Sequence, residues 1–377
     1  MVVVSIQKCP DYEEQNVSQA ILSAMAQIGG MARVIRPGDK VLLKANLLAP
    51  ADPDAAVTTH PGVVKAVAGQ VLAAGGIPIV ADSPGYFYAG GKCRAIKACG
   101  MRDVGDDLKI TTTQFESVEN PFVEVQVPGG QMLDHVYAAR LALEADVIIT
   151  LPKLKTHAST WYTGAIKNMF GAVATRTRKQ AHRLATYERF SAALVDVYAV
   201  FRPQVRLAIM DGVTGMEGEG PRHGSPRQAG LILASFDAVA LDTVATAVMG
   251  FEPTRILTTR YAAERGFGVG ELAGIDILGE PLDDVVVDFS KPTGRRLNVP
   301  PLLMKAADRL LKVRPELNRD DCDKCGTCAK SCPTDAIAMS PYPEIDRDLC
   351  IECFCCNEMC PTGAMAISKN WLARRVS

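Results

Sequence analysis

Up to about residue 300, short continuous apolar runs alternate with longer stretches whose apolar residues recur every three or four positions. The runs at 2–6, 40–44, 77–81, 146–151, 205–210 and 231–234 predict strands buried on both faces. The periodic stretches at 17–28, 62–74, 189–201 and 237–249 predict helices, and Gly75-Gly76 supplies a helix stop before the third strand. Strands alternating with helices imply an α/β fold, a mostly parallel sheet flanked by helices. Beyond it, Leu302, Leu303, Ala306, Leu310 and Val313 fall on one helical face behind Pro300-Pro301, the pattern of a packed helical connector.

The pattern then gives way to cysteine. Cys322, Cys325, Cys328 and Cys332 precede Pro333, and Cys350, Cys353, Cys356 and Cys360 precede Pro361. Each set reads C-x2-C-x2-C-x3-C-P, the bacterial ferredoxin run, in which three thiolates hold one iron–sulfur cluster and the fourth crosses to the other. Cys322, Cys325, Cys328 and Cys360 are therefore assigned to one [4Fe-4S] cluster, and Cys350, Cys353, Cys356 and Cys332 to a second. Zinc sites pair two short hooks across a longer gap, which this spacing does not match. The expected organisation is an α/β ligand-binding domain over 1–298, a connector over 299–318, and a small α+β bacterial-type ferredoxin domain over 319–369. Cys9, Cys93, Cys99 and Cys355 lie outside the ligand spacing, and Cys93, Cys99 and Cys355 read as packed thiols.

At 377 residues the chain is too long for a ferredoxin alone. Its first residues lack a charged leader region or a cleavage site, and no apolar run reaches the roughly 18 residues of a membrane span. Those features, with twelve cysteines, point to a reducing, cytoplasmic location, no membrane partner and an oxygen-sensitive protein suited to an anaerobic setting. Net charge is −1 but unevenly spread. Residues 319–360 carry nine acids against four bases, whereas residues 151–190 carry eight Lys or Arg against Glu188 alone. The basic segment calls for an anion, either a small ligand or an acidic protein surface. Few aromatics beyond Trp161 and Tyr162 accompany these lysines, so nucleic acid is not the expected partner.

Polar residues follow the strands: Asn46, Asp82-Ser83-Pro84-Gly85, Lys153 with Lys155 and His157, and Asp211-Gly212. Open α/β sheets bind ligands beyond the carboxyl ends of their strands, so these groups are candidates for one crevice. The segments KANLLAP (44–50), TTHPGVV (58–64), ADSPG, LPKLKTH, GAIKNMFG, DGVTGMEGEGP and ASFDAVALDTVA together resemble the domain of unknown function 362 family, over nearly all of residues 1–290. The resemblance implies an iron–sulfur protein with an α/β ligand domain and redox chemistry, and lends no substrate. It marks Lys44, His60, Asp82, Lys153, Lys155, His157, Lys167, Asn168, Asp211, Glu217 and Asp242 as lying within matching motifs.

Lys44, His60, Lys153, Lys167, Asn168 and Glu217 are accordingly expected to bind substrate, the lysines also favouring negative charge that develops during reduction. His157, Lys155, Asp211 and Asp82 are the expected catalytic set, with His157 the proton donor and an aspartate orienting it. Asp242, inside an apolar helix, reads as a cap or the partner of a buried cation. No G-x-G-x-x-G follows the first strand, so a flavin is not indicated. The expected function is an iron–sulfur oxidoreductase that uses two [4Fe-4S] clusters to exchange electrons with a small anionic substrate. The alternative is an electron relay that docks a redox partner protein or ferredoxin; self-association into a homo-oligomer is compatible with either.

Overall fold

The computed structural model describes residues 1–85, 94–184, 186–292 and 313–371. Strands β1 (Val2–Lys8), β2 (Lys40–Ala45), β3 (Ile77–Asp82) and β4 (Thr111–Gln114) are followed by a separate hairpin, β5 (Phe122–Gln126) and β6 (His135–Ala139). Next come β7 (Val147–Leu151), β8 (Lys153–His157), β9 (Trp161–Thr163), β10 (Val205–Glu217), β11 (Ser225–Ser235) and β12 (Ile275–Gly279). Apart from the hairpin they form one sheet in the order β12-β1-β11-β10-β7-β2-β3-β4, with β8 attached to β10 and β9 to β8. Along that order only β11 runs against its neighbours. The mostly parallel α/β architecture is as the apolar pattern predicts.

Alternation along the central strands divides the core in two. Val41, Leu43, Ile149, Leu151, Leu207 and Ile209 pack under the helices Glu14–Ile28 and Pro61–Ala73. Leu42, Ile148, Ala208 and Met210 face the opposite way, toward the helices Tyr187–Phe201 and Ala238–Val248. A strand covered on both faces needs apolar residues at every position, which is why these runs are continuous.

Two features depart from the predicted pattern. The expected strands at 205–210 and 231–234 are the inner parts of a long antiparallel hairpin, β10–β11, whose outer halves continue over mostly buried residues in β10 and over exposed residues in β11. The second is an extra strand after β7. Pro152 has no N–H and ends the β7 ladder; its carbonyl accepts from Asp211 N at 2.9 Å. The chain resumes as β8, paired with β10 through Asp211↔Lys153 and Met216↔Lys155. The period of two then puts Lys153, Lys155 and His157 on one face of a fully buried strand.

In the C-terminal part, β13 (Val313–Leu317) pairs with β16 (Met365–Lys369), and β14 (Ile337–Ser340) with β15 (Tyr342–Ile345). Val313, expected on the connector helix, is thus in a strand of the cysteine-rich part, where it packs on Phe354. Residues 299–312 of the connector, and Cys93, lie outside the described residues.

Candidate functional site

The two cysteine runs fold as a repeat with an offset of 28, from Cys322 to Cys350 and from Cys332 to Cys360. The backbone repeats with them. Left-handed φ values occur at Lys324 and Glu352, at Gly326 and Phe354, and at Asp335 and Gly363, each pair at the same offset. These turns curl each loop inward and launch the short helices Thr327–Ser331 and Cys355–Met359. Cys322, Cys325, Cys328 and Cys360 surround one small cavity, and Cys332, Cys350, Cys353 and Cys356 surround another. The described cysteines are all free thiols. Polar groups already reach sulfur: Ala336 N donates to Cys332 Sγ at 3.2 Å, and Thr327 Oγ1 lies 3.1 Å from Cys325 Sγ. Four thiols converging without disulfides, with polar groups within reach of sulfur, fit [4Fe-4S] binding. Cys355 is buried beside the ligand run, and Cys9 and Cys99 are buried with Sγ facing the carbonyls of Asp11 and Ala49.

The second candidate site is a cavity of about 90 Å³ where the sheet's carboxyl edge meets the cysteine-rich part. Its charged walls are Lys155, Lys167, Arg178, Asp82 and Glu358, joined by His157, His182 and Asn168. The Lys167 ammonium reaches it with no hydrogen bond or ion pair to any described residue. Lys155 Nζ donates to Val57 O at 2.6 Å. Burial first, then the neighbouring Lys167 and Lys153, hold the Lys155 ammonium well below the usual lysine range; burial likewise lowers Lys167. Arg178 donates to Pro84 O at 2.9 Å and to Glu116 at 3.3 Å. His182 lies against Phe190, and burial lowers its pKa to about 3.

His157 is neutral for the same reasons: burial, then Lys167 and Lys155, push its pKa well below 6.5. Its Nδ1 accepts from Ser159 N at 3.1 Å, which leaves the hydrogen on Nε2, 3.7 Å from Glu358 Oε1. An imidazole in that state donates a hydrogen bond from Nε2. Neither expected orienting aspartate reaches it. Asp82 pairs with Lys44 at 2.6 Å and accepts from Leu47 N and Ser83 N. Asp211 pairs with Lys153 at 2.9 Å and accepts from Tyr12 OH and His60 N.

The expected substrate-binding set is divided. Lys167 and Asn168 line the cavity. Lys44 sits behind its wall, held by Asp82, Ala45 O and Asn168 Oδ1. Gly171 permits this, since a Cβ there would overlap Asp82 and crowd the Lys44 ammonium. Lys153 is locked in its own pair, and His60 caps the helix Pro61–Ala73 while stacking on Tyr12. Glu217 receives Ser290 N away from the cavity. Asp242 is a cap: it accepts from Ala165 N, Ile166 N and Tyr162 OH.

Glu358 and Met359 were not anticipated. Ser159 Oγ donates to Glu358 at 3.0 Å, and Met359 packs on Gly85. Arg183 Nε to Pro333 O at 2.8 Å and His223 Nε2 to Asn357 O at 3.0 Å complete the junction. The one sequence signal was an asymmetry between repeats: Glu358 stands where the first repeat has Lys330.

Fold and cysteine geometry together define an iron–sulfur protein, an α/β domain joined to a ferredoxin-type electron-transfer domain. The chain belongs to the domain of unknown function 362 family, matched over residues 41–247, and carries a 4Fe-4S binding domain over 315–338. It is similar to a thylakoid-associated protein of Synechocystis sp., 35% identical over 278 residues, which are 72% of this chain and 81% of that one. Among solved structures, the lactate racemase apoprotein of Thermoanaerobacterium thermosaccharolyticum aligns with a TM-score of 0.42 at 12% identity, over 66% of this chain and 57% of that one. A Thermotoga maritima protein aligns with a TM-score of 0.36 at 12% identity, over 62% and 57%. Among the described residues, no helix is long and apolar enough to cross a membrane.

Proposed function

We propose that the protein is an oxidoreductase in which two [4Fe-4S] clusters exchange electrons with a small anion held in the cavity at the domain junction. One observation carries this reading: the helix Cys355–Met359 bears the ligand Cys356, leads into the ligand Cys360, and also forms a wall of the cationic cavity through Glu358 and Met359. Cys322, Cys325, Cys328 and Cys360 would hold one cluster, and Cys350, Cys353, Cys356 and Cys332 the other. When bound, such clusters supply or accept single electrons and no protons.

The protein's own groups do the rest. Lys167 attracts the anion, and with Lys155 it stabilises negative charge that develops as the substrate is reduced. Lys155, whose proton is weakly held, is the proton donor for a reduction and the acceptor for an oxidation. His157 donates a hydrogen bond from Nε2. Leu47, Leu48, Phe170 and Met359 limit water in the cavity, which strengthens these interactions.

The test is anaerobic. Dithionite-reduced protein, freed of excess reductant, is mixed with a panel of small carboxylates while cluster absorbance is followed. Reoxidation by one of them, lost in Lys167→Ala with the cluster spectrum intact, is the expected result. Reoxidation by redox proteins alone would replace the enzyme with an electron relay.

A further inference from the structure

The cluster-bearing helix places a carboxylate inside a cavity otherwise built for an anion. Glu358 is 7% exposed, accepts from Ser159 Oγ at 3.0 Å and lies 3.7 Å from His157 Nε2. Three cations line the cavity, Lys155, Lys167 and Arg178, against two carboxylates, Asp82 and Glu358. Immediately behind the wall, Lys44 pairs with Asp82 and Glu116 with Arg178, and these two partners cancel each other. His157 and His182 are neutral. Counted over that whole set with Lys155 and Lys167 in the ammonium form that a bound anion favours, one positive charge is left without a counterion, and Lys167, the ammonium with no hydrogen bond or ion pair among the described residues, is where it is exposed to the cavity.

From this balance we infer that the site takes a monoanion, a small monocarboxylate being the fitting class, and that Glu358 is the residue that sets this charge preference. The inference rests on the anion-binding reading of the cavity. A second negative charge on the ligand would face Glu358 in a setting of low dielectric, where like charges repel more strongly than in water. Without Glu358 the site has two charges to satisfy, and a dianion becomes the better match. The ferredoxin-type domain thus contributes a specificity-determining side chain as well as the clusters, and the cavity acquires its final charge only when that domain is docked.

Propionate and malonate are matched probes, similar in size and different in charge. Their dissociation constants are measured calorimetrically at neutral pH, anaerobically, on cluster-loaded protein. Wild-type protein is expected to prefer propionate. In Glu358→Gln the ratio of the two affinities should move toward malonate by about tenfold or more, equivalent to about 1.4 kcal/mol. Cluster absorbance verifies that the variant is intact; if it is not loaded, Glu358→Ser removes the same charge with a smaller side chain. An unchanged ratio in a loaded variant overturns the role of Glu358 while leaving the anion site standing, provided Lys167→Ala weakens both probes. If wild-type protein binds neither probe, nor any acid of the reoxidation panel, the anion reading itself falls.

Discussion

Ser159 Oγ donates to Glu358 Oε1 at 3.0 Å, joining two residues that stand 199 positions apart. The bond ties the turn after β8, which carries the buried lysines, to the helix that carries Cys356. The surroundings of the cavity and of the cysteine loops are therefore mechanically linked. Breaking it tests how the domains are held. Ser159→Ala should accelerate amide hydrogen exchange in residues 355–359 by about fivefold, the equivalent of roughly 1 kcal/mol for one buried hydrogen bond. Unchanged exchange there would mean that Arg183–Pro333 and His223–Asn357 hold the junction alone.

Cysteine replacement separates ligands from the thiol packed among them. Cys325→Ala and Cys353→Ala open different cavities, so each should lose about four iron atoms of roughly eight, while Cys355→Ala should retain all of them. Iron analysis with absorbance near 400 nm decides this. Equal losses from Cys355→Ala would show that the buried thiol takes part in ligation.

Asp242 connects packing to pH. Its carboxyl receives two helix N–H groups and Tyr162 OH, yet burial outweighs these donors and raises its pKa to about 7. A carboxyl whose folded pKa lies above its unfolded value near 3.8 contributes stability that is fully present below the unfolded value and lost as pH rises through about 7. The stability of wild-type protein relative to Asp242→Asn should therefore fall between about pH 4 and pH 7, by on the order of 4 kcal/mol. Urea unfolding of both proteins at several pH values measures the difference; a flat difference would place the carboxylate in a better-solvated setting than its contacts indicate.

These contacts also show where sequence reading stops. The strands legible in the chain are those buried on both faces, because continuous apolar runs such as 147–151 have few other uses. Of the antiparallel β11 only 231–234 was legible, since its outer residues 225–230 carry no apolar alternation. The cysteine spacing declared its chemistry because ligand geometry is local. The cavity did not, because it depends on which lysines acquire partners. Lys44 and Lys153 look like Lys155 and Lys167 in sequence, but Asp82 and Asp211 neutralise the first two from other strands. Glu358 was hidden for the same reason: its neighbours His157 and Ser159 come from the other domain.

The depressed lysines give the cavity a proton signature. Burial holds the ammonium forms of Lys155 and Lys167 below the ordinary lysine range in the free protein, and their mutual repulsion lowers Lys155 further. A bound anion favours the charged forms and raises both values, so binding draws protons in from solvent. Affinity for a carboxylate should then rise as pH falls through the depressed range and be lost at higher pH, where the lysines are neutral before the anion arrives. Calorimetric titration of propionate in two buffers with different ionisation enthalpies reads the proton count directly. Net uptake is expected, and it should diminish in Lys167→Ala together with the affinity. Zero uptake or proton release would show that the lysines are fully charged beforehand, and Lys155 would then have no loosely held proton to give.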